Sequence, residues 1–191
     1  MNIENLSEGA EDFTGNVWMI QNGENVLVDA GTGDVWNQIK RMESIDKVVV
    51  THSHYDHVDN LPKILDKYSP EVYSYRPENL PVEAKKIEEN INIADLEFEV
   101  IHTPGHKDDS ICLYSPEAKI LFTGDLIFPK GSFGRTDLEE GDRELLIRSI
   151  EEIANLEVES FYPGHENAVE SGAEEQIKRS LAQAREREQK Y

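Results

Sequence analysis

Apolar positions in the first third of the chain fall in short runs of period two or less. Residues 16–21 (NVWMIQ) and 25–29 (NVLVD) flank Asn22-Gly23-Glu24, a hairpin signal, and predict two antiparallel strands. Gly31-Thr32-Gly33 breaks the pattern, and Asp34 is placed to cap a short helix reaching about Met42. Residues 47–51 (KVVVT) form the continuous apolar run of a fully buried strand. Leu61, Ile64, Leu65 and Tyr68 then mark one face of a helix with Pro62 in its first turn. The second half repeats the alternation: a strand at 71–75, a polar helix at 82–90, a strand at 97–102, and a hairpin of 111–114 with 119–123 across Ser115-Pro116-Glu117-Ala118. Leu146, Ile150, Ile153 and Leu156 keep helical spacing within 143–156, and Phe161-Tyr162 predicts a last short strand. A closing helix is expected over 174–190, with Glu174/Lys178 and Glu175/Arg179 pairs and a packing stripe of Ile177, Leu181 and Ala184. No repeat, low-complexity tract or linker intervenes, so the expectation is one domain over 1–191.

Composition narrows the partners. Acidic residues number 39 and basic residues 19, a net charge of −20. Binding a phosphate backbone relies on clustered Lys and Arg, so nucleic acid is not an expected partner, and neither is an anionic membrane. The first basic residue is Lys40, and no apolar run approaches the length of a membrane span. A single cysteine, Cys112, excludes an internal disulfide and suits a reducing compartment, so the expected location is the cytoplasm. Hydrophobic residues make up 38% of the chain, enough for a globular core.

Three of the six histidines crowd into Thr51-His52-Ser53-His54-Tyr55-Asp56-His57. Alternate residues of an extended segment point to one side, so His52 and His54 present two imidazoles to one ion at the end of a buried strand. A turn there brings Asp56 and His57 to the same space, a donor mixture that suits Zn, Fe or Mn rather than Ca or Mg. His106, Asp125 and His165 each follow a glycine at the C-terminal end of a β-rich run, where the chain bends toward a shared centre. His102 is left over and reads as a structural or supporting residue.

These residues carry a resemblance. The HxHxDH signature of His52 to His57, the Pro-Gly-His at His106, the Thr-Gly-Asp at Asp125 and the final Pro-Gly-His at His165 resemble the metallo-β-lactamase superfamily in the same order. Residues 16–20 and 26–31 look like that family's opening hairpin. The resemblance implies an α/β fold, an αββα four-layer sandwich of two mixed β-sheets flanked by helices. It further implies that His52, His54 and His106 hold one metal ion, that Asp56, His57 and His165 hold a second, and that Asp125 bridges both. Two divalent ions, zinc foremost with iron or manganese as alternatives, lower the pKa of a bridging water and polarise a carbonyl. Asp56 and Asp125 are thereby the expected catalytic carboxylates, Asp56 orienting the hydroxide. Asp29 matches family carboxylates that support the ligands.

Residues 134–137 (GRTD) look like a segment of glyoxalase II-like hydrolases and persulfide dioxygenases. This implies that Arg135, assisted by Lys130, contacts the anionic thiol carrier of a substrate. The leading expectation is hydrolysis of a small hydroxyacyl thioester, whose thiolate leaves without a strong general acid. The alternatives are a mononuclear-iron persulfide dioxygenase-like oxidoreductase, and a lactonase or other ester hydrolase with the same dinuclear site. The chain departs from the family pattern at Asp59-Asn60, which replace the usual Gly-Gly, and at Asn167, where long glyoxalase II enzymes tend to carry Tyr. The carrier stays open between glutathione, coenzyme A and another small thiol.

Overall fold

The computed structural model describes residues 1–188. They group into two compact units, Met1–Phe98 and the chain from Glu99 onward.

The first unit contains β1 (Asn2–Asn5), β2 (Trp18–Asn22), β3 (Glu24–Val28), α1 (Trp36–Ile39), β4 (Lys47–Val50), α2 (Tyr55–Val58), α3 (Leu61–Tyr68), β5 (Glu71–Ser74), β6 (Lys85–Lys86) and β7 (Asn90–Ile93). Strands β1 to β6 form one mixed sheet in chain order. The joins from β1 to β3 are antiparallel, and those from β3 to β6 are parallel. The continuous apolar runs of β3 and β4 lie side by side, Leu27 opposite Val48 and Val28 opposite Val49, all four buried. On one face Met19, Leu27, Val48, Val50 and Val72 pack with Ile39, Val58, Leu61 and Ile64 of the three helices. Burial of that stripe, at about 1.5–3 kcal/mol per large side chain, fixes the short helices. Tyr68 Oη donates to the carbonyls of Ile39 and Met42, tying α3 to the end of α1.

Two local expectations are corrected here. Asp34 does not cap a helix; it lies in a 3₁₀ turn, Gly33–Val35, and its carboxylate accepts from the amides of Glu11 and Asp12. Residues 82–90 are not helical. Lys85 and Lys86 pair in parallel with Tyr73 and Ser74, and the Ile87 amide donates to Ser74 O at 2.9 Å. The segment has no apolar stripe of helical period, while Val82 and Ala84, two residues apart, both pack on the sheet's core, which is the period of extended chain.

Strand β8 (Leu96–His102) crosses the unit boundary. The second unit continues with β9 (Ile111–Ser115), β10 (Ile120–Gly124), β11 (Ile127–Phe128), β12 (Ser132–Phe133), α4 (Arg143–Ile153), β13 (Ser160–Pro163) and α5 (Ala173–Glu188). Its sheet runs β13-β10-β9-β8, antiparallel except for the parallel pair β10 and β13. Leu146, Ile150 and Ile153 of α4 and Ile177 and Ala184 of α5 pack with Cys112, Leu121 and Phe161 of that sheet. Asp142 caps α4 by accepting from the Leu145 amide at 3.0 Å, worth about 1 kcal/mol. The last two positions of the helix expected over 174–190 lie outside the described residues. No helix among the described residues is long and apolar enough to cross a membrane.

Candidate metal centre

In the first unit, β4 runs directly into the histidine cluster. His52 and His54 bring ligand nitrogens within 4.8 Å of one another, with ring centroids 4.8 Å apart, as alternation along extended chain requires. The chain then turns into α2, which brings His57 back to His52 at a centroid distance of 4.2 Å. His57 Nε2 lies 3.8 Å from Asp56 Oδ2. The turn is anchored by main-chain bonds: Ala30 N donates to His57 O at 2.8 Å and Gly15 N to Asp56 O at 3.0 Å.

Asp29, at the end of β3, organises these ligands. Its Oδ2 accepts from His57 Nδ1 at 2.8 Å and from Thr51 Oγ1 at 2.8 Å, and its Oδ1 accepts from Thr51 N at 2.7 Å. Because a carboxylate only accepts, His57 carries its proton on Nδ1 and its lone pair on Nε2. The hydroxyl proton of Thr51 is committed to Asp29, so Thr51 Oγ1 accepts from His52 Nδ1 at 3.1 Å, and His52 likewise directs an Nε2 lone pair outward.

In the second unit, three loops at strand ends converge on Asp125. Its Oδ2 lies 3.3 Å from His106 Nε2 and 3.4 Å from His165 Nε2. Gly164 N donates to Gly124 O at 2.8 Å, which locks the His165 loop to the Asp125 loop. His106 Nδ1 donates to the main-chain carbonyl of Arg135 at 2.8 Å, presenting Nε2 to the carboxylate. Gly105, just before it, has φ +133°, and a Cβ there would lie 2.2 Å from Leu146 N. His102 Nε2 bonds the Asp108 carbonyl at 2.7 Å, stapling the base of the loop that carries His106.

The structure thus brings His52, His54, Asp56 and His57 together in one unit and His106, Asp125 and His165 together in the other. Imidazole and carboxylate donors, with Nδ1 of His52, His57 and His106 already engaged, fit a divalent ion of the Zn, Fe or Mn class. Lys130 is exposed, and its backbone amide donates to Gln176 in α5. Arg135 is exposed too, its guanidinium paired with both oxygens of Asp137 at 2.7 Å. That guanidinium holds the Asp137 carboxyl down to about 2. Two contributors escaped sequence reasoning. Thr51 has as its only signal its place ahead of the first histidine, and the Arg135 carbonyl has none, since main-chain acceptors leave no mark in a sequence.

The sequence model of the Metallo-beta-lactamase superfamily matches residues 10–89 and 76–165. The chain belongs to that superfamily. Its members are typically hydrolytic enzymes that use divalent metals, and the mixed sheets flanked by helices have the expected fold class. Hydroxyacylglutathione hydrolase GloC of Haemophilus influenzae is 30% identical over 179 residues, 78% of this chain and 82% of its own length. Other matched hydroxyacylglutathione hydrolases are longer, and this chain spans 44–61% of their length. Among solved structures, the BLEG-1 B3 metallo-β-lactamase superposes with a TM-score of 0.69 at 27% identity, over 84% of this chain and 90% of that one. TTHA1623, solved in a di-iron-bound form, shares the fold with a TM-score of 0.76 at 23% identity, over 92% and 96%.

Proposed function

We propose that this chain hydrolyses small hydroxyacyl thioesters with the help of two divalent metal ions. The observation that carries the reading is Asp125 Oδ2, which stands 3.3 Å and 3.4 Å from two imidazole nitrogens on separate loops. One carboxylate shared in this way is the donor arrangement a bridging ligand needs. In this reading residues 1–191 act as one domain. His52, His54 and His106 would hold one ion, Asp56, His57 and His165 the other, and Asp125 would serve both. Zinc is the first choice and iron or manganese the alternatives. Bound there, the ions supply Lewis acidity and a water whose pKa falls near neutrality.

The side chains do the rest. Asp29 and Thr51 fix the tautomers of His57 and His52, and Asp56 orients the attacking water. The leaving thiolate needs no strong proton donor. Arg135, with Lys130, receives the anionic carrier by exchanging Asp137 for a substrate carboxylate. Support for the thioester comes from the similarity to a relative named as a hydroxyacylglutathione hydrolase. The charge of −20 argues against nucleic acid and anionic membranes as partners, and the lone thiol Cys112 for a cytoplasmic location.

The test is elemental mass spectrometry of untagged protein, followed by turnover of S-lactoylglutathione and lactoyl-coenzyme A. About two ions per chain with hydrolysis of either thioester is the expected result. Close to one iron per chain, oxygen consumption with glutathione persulfide and no thioester turnover would replace the hydrolase with the dioxygenase alternative.

A further inference from the structure

Tyr55 sits between His54 and Asp56 in the first turn of α2, and the residue is 67% exposed. It is also tethered. Its hydroxyl lies 2.9 Å from Thr32 Oγ1, which in turn lies 2.9 Å from Asp59 Oδ2. Thr32 has one hydroxyl proton, which goes to the carboxylate, so Tyr55 donates to Thr32 and the relay ends on Asp59. Thr32 is buried, and its amide donates to Thr14 Oγ1 at 3.0 Å. The Asp59 amide closes the turn onto Tyr55 O at 3.1 Å. The acceptor of the relay is therefore one of the two residues that stand in place of Gly-Gly. The ring is held at its backbone by α2 and at its tip by a buried threonine, yet its faces stay in water. Such a ring gains little for the fold, but loses little entropy when something packs on it.

Acidic residues prevail around it: Asp56 and Asp59 follow within one turn, and the cation on this stretch, Lys63, has its Nζ bonded to Asn60 Oδ1 at 2.8 Å. The segment carrying Glu11, Asp12 and Thr14 is bonded to the segment carrying Thr32 and Asp34, Gly15 N bonds Asp56 O, and the chain has no Lys or Arg before Lys40. An anionic carrier is repelled there, whereas an aromatic face accepts an uncharged alkyl or aryl group.

We propose that Tyr55 is a specificity-determining contact for the acyl side chain of the substrate, and that this side chain is uncharged and apolar. The assignment of that group as an acyl chain rests on the hydrolase reading. The test uses the metal-loaded full chain and compares lactate with mandelate, two 2-hydroxy acids that differ by a methyl against a phenyl group. Calorimetric titration of the wild type should give about 5-fold tighter binding of mandelate, the scale of one aromatic contact. Tyr55→Ala should bring the two acids to within about 2-fold, while Tyr55→Phe, which keeps the ring, should retain the preference. Equal melting temperatures would show that the variants fold. A wild type without the preference, a Tyr55→Ala variant that keeps it, or binding of neither acid overturns the proposal. Turnover of S-lactoylglutathione is read separately. If it is absent while the Tyr55-dependent preference persists, the hydrolase reading fails and the contact stands.

Discussion

Asp29 Oδ2 accepts a 2.8 Å hydrogen bond from His57 Nδ1, both side chains being buried. The same carboxylate takes both donors of Thr51, and Asp29 itself sits at φ +65°, a conformation that Asp tolerates better than most residues. Asp29→Ala strands three buried donors, at about 1–3 kcal/mol each if none relaxes, and frees two imidazoles to rotate. It should lower stability in urea by roughly 3 kcal/mol or more, and metal affinity in chelator competition by roughly 10- to 100-fold. Unchanged affinity would show that the ligands hold their orientation without it.

Asp125→Ala should separate binding from folding. The residue follows β10 at a strand end and belongs to neither apolar cluster, so far-UV dichroism should be unaltered. If its carboxylate bridges, bound metal should drop from about two ions per chain to one or fewer, and turnover by roughly 1,000-fold. Two retained ions would sink the bridging role.

What was legible in the chain follows from how local its causes are. The paired apolar runs of β3 and β4 and the spacing of Leu146, Ile150 and Ile153 encode their own burial, and those elements lie within a few residues of expectation. The histidine cluster announced itself by density within seven residues. Strand β1 (NIEN) has no apolar run and exists because β2 offers it a partner, while β11 and β12, two residues each, are too short to show a period. Residues 82–90 failed because a polar segment takes the conformation of whatever edge accepts its amides, here Ser74 O. The bonds of Thr51 to Asp29 and of His106 to the Arg135 carbonyl needed coordinates, since they join positions 22 and 29 apart.

Gly134 lies against the Asp125 backbone so closely that a Cβ would stand 1.9 Å from Asp125 O and 3.2 Å from His106 Cβ. Gly134→Ala therefore moves the Asp125 loop or the strand beside it. We expect a loss of roughly 1–3 kcal/mol in stability, with metal affinity falling as well. Ala accepted with wild-type melting temperature and metal content would show that the loop is slack at this point.

Cys112 is fully buried in β9, and burial pushes its thiol up to about 12. At pH 8 the folded protein holds almost no thiolate, so Ellman's reagent should react far more slowly than with the same chain in 6 M guanidinium. Labelling should track unfolding and gain little between pH 7 and 9. Rapid labelling of the native state would mean that β9 opens to solvent.

Arg135 serves two masters: its carbonyl orients His106 while its guanidinium grips Asp137. The Asp137 carboxyl is held at about 2, below its ordinary 3.8. A depressed pKa means that the pair is present above the ordinary value and is lost only as pH falls through about 2. Its contribution to stability is small at so exposed a site. At any working pH, then, a substrate carboxylate must displace Asp137 to reach the guanidinium. Asp137→Asn should lower KM for S-lactoylglutathione by roughly 3- to 10-fold, and Arg135→Ala should raise it by a similar factor. Neither should change kcat much, since the His106 bond uses the backbone of Arg135. The double variant should match Arg135→Ala alone, because without the guanidinium there is nothing for Asp137 to mask. A KM indifferent to all three changes would place the carrier elsewhere and leave Arg135 with the single task of holding His106.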